Sequence, residues 1–203
     1  MTSILTGDIV KSRRSTTTLW ADGLKKIFSD IGQTPKDWEI YRGDEFQLEV
    51  KNPAEALLVA IRIKAFLKTL KLDARMSIGI GDKEYAAPKI TESNGTAFVR
   101  SGELFETLKK EKVMLAVNSR NSDFDNDLNL MLRFGASIMN NWLPQSAEFV
   151  LLAIENPTLS QEELGIKLGI NQAAVSRRQT RAQFELIMDL DAFYRNKLKK
   201  HIL

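Results

Sequence analysis

The sequence predicts an α+β chain in two parts, an antiparallel sheet domain followed by an all-α domain. Three observations predict it. Up to Asn118, short β-patterned runs alternate with helix-patterned ones; no β-patterned run follows the polar stretch Asn118–Asp127; and beyond Asn156-Pro157 a capped helix, a glycine turn and a second helix follow one another. The expected domains are residues 1–120 and 127–203.

Ile4 to Val10 is a short apolar run, and Thr16 to Ile31 carries Leu19, Leu24, Ile27, Phe28 and Ile31 at helical spacing. Asp37–Tyr41 and Phe46–Val50 flank Arg42-Gly43-Asp44-Glu45, which suits a tight hairpin. Asn52 is a helix cap with Pro53 at the first helical position, and the apolar run continues through Leu70. Ala74 to Gly81 alternates in strand fashion, and its Gly79 and Gly81 allow another group to approach the backbone. Phe98–Lys110 reads as helix and Val113–Val117 as strand. The order β-α-β-β-α-β, with a further α-β pair, fits a ferredoxin-like sheet with the first strand near its centre. Asn118–Asp127 shows no apolar periodicity and reads as a linker. Everything after it is helix-patterned, with a break at Pro144.

Composition narrows the chemistry. The 203 residues contain no cysteine and a single histidine, His201, in a basic tail, which excludes disulfides and argues against a zinc or histidine-based hydrolase site. The residues Met1–Val10 lack the basic flank and the length of a signal peptide or membrane span, so no membrane partner and a cytoplasmic location are expected. A net charge of +3 says little by itself. Its distribution says more: from Gln172 to Leu203 basic residues outnumber acidic ones seven to three.

That basic region contains the clearest motif, a helix-turn-helix over about residues 160–187. Ser160 and Glu163 form a capping-box pair, and Gly169 supplies the turn after Leu168. Leu164, Leu168, Ile170 and Val175 are spaced as a buried seam, with small Gly165 where two helices must cross closely. The second helix would then expose Gln172, Ala173, Ser176, Arg177, Thr180 and Arg181, side chains suited to base edges and phosphates. Arg178 and Gln179 stand where an apolar residue is expected on the buried side. A helical hairpin that only packs on the first domain is the alternative.

In the first part, Asp8 closes a strand, and Asp44 and Glu45 sit in the hairpin. With the first strand central and next to the hairpin, Asp8 and Asp44 approach each other, and facing carboxylates can hold magnesium for phosphoryl chemistry. Gly7-Asp8-Ile9, Gly43-Asp44-Glu45-Phe46-Gln47, Ser77-Ile78-Gly79-Ile80-Gly81, Ala97-Phe98 and the C-terminal motif together resemble the palm of class III nucleotidyl cyclases and diguanylate cyclases and, more closely, the SatD family. The resemblance covers nearly the whole chain and implies a cyclase-type palm followed by a helix-turn-helix. With the resemblance, Asp8, Asp44 and Glu45 are the candidate Mg2+ ligands and Ile9, Arg42 and Gly43 candidate nucleotide contacts; Ser12 and Arg13, which follow the first strand closely, are candidate phosphate contacts, and Arg100 a candidate substitute for the cation that the cyclase pattern would supply. Departures fall at Arg42, Ile40, Phe98 and Gly102, where cyclases carry a glycine, a lysine, an asparagine and an arginine.

The reading that follows is a DNA-binding regulator, paired as a homodimer, whose palm binds a nucleotide with magnesium. One rival is a minimal nucleotidyl cyclase or nucleotidyltransferase that uses the helical part only as an anchor. Another is an adaptor that binds protein through the same helices.

Overall fold

Alternation of side chains along nine residues makes Thr2–Val10 a strand, β1, with Leu5, Gly7 and Ile9 on one face and Ile4, Thr6 and Asp8 on the other. The computed structural model describes residues 1–12 and 17–202. It is α+β, with one five-stranded sheet and eight α-helices among the described residues. After β1 come α1 (Thr17–Ser29), β2 (Trp38–Tyr41), β3 (Glu45–Val50), α2 (Ala56–Thr69), β4 (Asp73–Gly81), α3 (Thr96–Glu111) and β5 (Leu115–Asn118). Then α4 (Ser122–Asn140), α5 (Pro144–Glu155), α6 (Gln161–Leu168), α7 (Gln172–Ala182) and α8 (Phe184–His201) complete the chain.

The strand order is β2-β3-β1-β4-β5. Strand β1 pairs antiparallel with β3 and β4, and β2 pairs antiparallel with β3. The sheet is nonetheless mixed and not purely antiparallel as expected, because α3 carries the chain back over the sheet and β5 runs parallel to β4. Leu5 and Ile9 join Trp20, Leu24 and Phe28 of α1 and Leu57 and Ile61 of α2 in one apolar core. On the opposite face Ile4 packs with Ile90, Ala97 and Phe98. Helix α3 lies close there because residue 79 is glycine: a Cβ on Gly79 would stand 2.3 Å from the Ala97 carbonyl oxygen. Beside it, the Ser101 hydroxyl donates to Thr6 Oγ1 at 2.7 Å and the Ser77 hydroxyl donates to the Ser101 carbonyl at 2.8 Å, so the buried hydroxyls are satisfied.

The stretch 118–127 is not the linker that its polarity suggests. Asn121 caps α4 by accepting the Phe124 amide at 3.0 Å, Asp123 and Asp125 occupy the first turn where they complement the helix dipole, and Phe124 is buried. The apolar core then runs without interruption from the sheet through α4 and α5 to Val175, Ala182, Tyr194 and Leu198. Polar bonds cross the same junction. The Tyr194 hydroxyl donates to the Pro53 carbonyl at 2.6 Å, and the Trp142 indole donates to the Ala182 carbonyl at 2.9 Å.

Deep between α2 and β4, Lys64 is wholly buried and its ammonium contacts Asp73, which also receives Lys68 at 2.9 Å. Burial holds the Lys64 ammonium below the usual lysine range, and Asp73 works against that shift. Removing the anion strands two cations in a low-dielectric site. Asp73→Ala should therefore cost about 3–5 kcal/mol in urea unfolding, whereas Lys64→Met, which fills the same channel and leaves Asp73 with Lys68, should cost much less.

Candidate functional site

Two sets of residues carry chemistry, and they lie in different parts of the fold. The first is the α6–α7 pair. Ser160 Oγ accepts the Glu163 amide at 3.2 Å while Glu163 Oε2 accepts the Ser160 amide at 2.8 Å, which fixes the start of α6. The Ser160 amide, and the Ser160 hydroxyl at 2.9 Å, donate to the Glu163 carboxylate and hold it below the usual carboxylate range. Gly169 ends α6 at φ 65°, a left-handed conformation that favours glycine. The chain then passes so near α6 that a Cβ on Gly165 would stand 2.7 Å from the Ile170 carbonyl oxygen. Asn171 caps α7 through the Ala174 amide at 2.9 Å.

Helix α7 divides its surface in two. Val175 and Ala182 are fully buried. Arg178 and Gln179, unexpected on a docking face, dock by polar bonds: Arg178 meets Glu148 of α5 at 2.7 Å, and Gln179 accepts from Gln161 at 2.8 Å and donates to Glu185 at 2.7 Å. The other side carries Gln172, Ala173, Arg177, Thr180 and Arg181, all exposed, with Ser176 half-buried between them. Arg177 and Arg181 belong to none of the ion pairs found among the described residues, whereas Arg178 and Arg195 are paired. Gln172 donates to Gln161 at 2.6 Å and is already oriented.

The second set lies at the end of β1. Asp8 has Glu45 and Arg75 as its cross-strand partners, so all three side chains rise from one face of the sheet, under the C-terminal half of α3. The hairpin turn uses left-handed backbone at Arg42 (φ 50°) and Gly43 (φ 91°). That turn brings the Asp44 carbonyl within 3.0 Å of the Ile9 amide, and the Ser12 hydroxyl donates to the Asp44 carboxylate at 2.7 Å. Arg13 lies outside the described residues.

Two further cations stand among these acids, Arg75 and Lys109, the latter from a Lys109–Lys112 cluster expected only to be a solvated helix end. Arg75 is 3.7 Å from Asp8, and Lys109, above the Phe105 ring, is 2.9 Å from Glu45; Arg42 approaches Glu45 at 3.9 Å. Arg75 could have been found only from the β1–β4 register, and Lys109 only from the crossing of α3, since neither is near Asp8 in sequence. Arg100, expected near the nucleotide, is elsewhere. It donates to the Ile80 carbonyl at 2.6 Å, beside the Gly81 end of β4 that pairs with Thr2, which is the opposite end of β1 from Asp8.

The carboxylates share a corner but do not form an open ligand trio. Among the described residues no group of three or more His, Cys, Asp or Glu converges as a metal needs. As the side chains stand they do not fit a divalent ion, because Asp8 already faces Arg75 and Glu45 already faces Lys109. Two atoms are left over: Oδ1 of Asp8 and Nε of Arg75 are each buried with no hydrogen-bond partner.

Burial pushes the Asp8 carboxyl above its ordinary value of 3.8; Arg75 and Lys109 pull it back, and Asp44 and Glu45 add to the rise. The folded chain thus keeps this proton to a higher pH than the unfolded chain does. Stability from Asp8 is present below the ordinary value and is lost as pH rises through the shifted one. Asp8→Asn should accordingly raise the melting temperature by roughly 2–4 °C at pH 7 and give no gain near pH 3, measured by thermal unfolding across that range. Comparison with family models, with curated proteins and with solved structures returns no match for this chain.

Proposed function

We propose that this chain is a DNA-binding regulator in which α6, the Gly169 turn and α7 act as a helix-turn-helix and α7 enters the major groove. One observation carries the reading. The polar docking of Arg178 and Gln179 leaves Arg177 and Arg181 exposed and outside any ion pair found among the described residues, on the same face as Gln172, Ala173, Ser176 and Thr180. Unpaired guanidinium groups on an exposed helix face suit guanine edges and phosphates. The excess of basic over acidic residues after Gln172 adds the electrostatic attraction. For the first part, the order β2-β3-β1-β4 supports a ferredoxin-like, palm-type sheet. The likeness of Gly7-Asp8-Ile9 and Gly43-Asp44-Glu45-Phe46-Gln47 to the SatD pattern agrees with it.

Duplexes selected from a random pool by the wild-type protein test the proposal by fluorescence anisotropy. Arg177→Ala and Arg181→Ala should each weaken binding roughly tenfold, equivalent to about 1–3 kcal/mol, without changing the melting temperature by more than about a degree. Arg178→Ala should instead lower the melting temperature, since it releases α7 from α5. If no duplex is retained at low salt, where phosphate attraction is strongest, the helices serve a protein partner instead.

A second reading, a nucleotide with magnesium at the Asp8 corner, is favoured by the unpartnered Oδ1 of Asp8. It requires the ligand's phosphates to draw Arg75 and Lys109 away from the carboxylates. Titration with ATP or GTP and Mg2+, followed by amide NMR, checks it. Shifts at Asp8, Ile9, Ser12 and Asp44 in the wild type, absent from Asp8→Asn, are the expected result, and an unmoved wild-type spectrum rules the site out.

A further inference from the structure

Helices α4 and α8 lie side by side and antiparallel. Asp127 meets Lys197 at 3.0 Å at one end, and further along Leu190 lies over Gly135, where a Cβ would come within 2.4 Å of its Cδ2. Each helix already has a face in the core: Leu128, Leu132 and Met139 on α4, and Ile187, Tyr194 and Leu198 on α8. An amphipathic helix needs only one such face. Here a second apolar face remains on the outside. Phe134 is 63 % exposed, Leu186 54 %, Leu130 51 % and Met131 42 %, and between the two helices runs a groove of about 380 Å³ floored by Ile138, Leu190 and Phe193. Scattered exposed apolar residues are ordinary, but a contiguous patch spanning two helices marks a surface that is covered.

The charges around the patch say by what. Its two helices carry six Asp or Glu against five Lys or Arg, with Asp189 at the groove itself. Such a balanced border does not suit an anionic membrane, which asks for a basic one, nor a strongly charged partner. It suits itself. Asp127 and Lys197 are already paired within the chain, while Arg133 and Asp189 are exposed and appear in no ion pair found among the described residues.

We infer that this face binds a second copy of the same chain about a two-fold axis, forming a four-helix bundle from two α4–α8 pairs, with Arg133 of each copy facing Asp189 of the other. A two-fold contact makes that pair reciprocal. Helix α8 begins at Phe184, directly after α7 ends at Ala182, so the same face sets the spacing of two α7 helices. In that respect the inference rests on the DNA-binding reading and specifies its homodimer, but its test contains no DNA.

Sedimentation velocity on the full chain across low to high micromolar concentration is the experiment. The wild type should be a dimer, and Phe134→Glu or Leu130→Glu, each at an exposed position, should be a monomer with unchanged far-UV circular dichroism. Arg133→Asp and Asp189→Arg should each self-associate at least about tenfold more weakly than wild type, because each places like charges opposite one another. Mixed in equal amounts they should recover a dimer, since every contact in the mixed pair again joins opposite charges. Recovery on mixing supports the inference and is not expected of charges that interact within one chain. A wild-type monomer, whether or not it captures another protein or vesicles, overturns it. So does a dimer indifferent to both glutamate variants, or a mixture no stronger than its parts. A dimer that behaves as expected but binds no duplex leaves this inference standing and removes only the DNA reading.

Discussion

A strand hydrogen-bonded along both edges has no freedom to slide, and β1 is held in this way by β3 and β4 while helices cover both of its faces. What varies along it is polarity. On the face under α3 the side chains run from Ile4, in an apolar cluster, through Thr6, bonded to Ser101, to Asp8 at the charged corner. Helix α3 follows the same gradient, with Ala97 and Phe98 over Ile4, Ser101 over Thr6 and Lys109 beside Glu45. The fixed register converts a sequence gradient into a spatial one. A one-residue slip would send Asp8 into the core around Phe46 and turn Leu5 toward the hydroxyls, so the charged corner and the core stand or fall together.

The same constraint explains which parts of the molecule could be read from the chain. Local signals sufficed for the hairpin at Arg42-Gly43-Asp44, the Ser160–Glu163 capping box and the turn at Gly169, because each is decided by residues a few positions apart. Residues 118–127 look like a linker because Phe124, their one large apolar residue, starts a periodicity that continues at Leu128 and completes only further along α4. The Asn121 cap and the acids in the first turn were the available sign of a helix. The parallel β5, and the presence of Arg75 and Lys109 beside Asp8 and Glu45, depend on pairing and crossing between distant segments. No spacing rule carries that information. Arg100 shows the converse, since a cation in the right helix went to the wrong end of the strand.

The corner and the helices also differ in how they treat charge. At Lys64, Asp73 and Lys68 a buried network joins α2 to β4, and removal of Asp73 leaves two cations with little water to solvate them. At Asp8 the carboxyl is only partly matched: one oxygen faces Arg75 and the other has no partner. The first arrangement holds the fold together. The second costs stability at neutral pH, and Nε of the neighbouring Arg75 is likewise buried without a partner.

Helix α7 is held differently from its neighbours. The α4–α8 pair is joined mainly by Gly135 against Leu190 and a continuous apolar seam, with one exposed ion pair, Asp127–Lys197, at its end. Between Val175 and Ala182, α7 rests on the partly buried Arg178–Glu148 pair, which salt weakens, and on the amides of Gln161 and Gln179. The surface proposed to read DNA thus rests between its buried ends on polar contacts, while the surface proposed to pair two copies rests mainly on apolar ones. A pair assembled through α4 and α8 would hold its two reading helices at a set distance, and each helix could still adjust its angle by trading one polar contact for another. That combination favours a fixed half-site spacing with tolerance inside each half-site, because spacing comes from the apolar seam and local fit from the polar one.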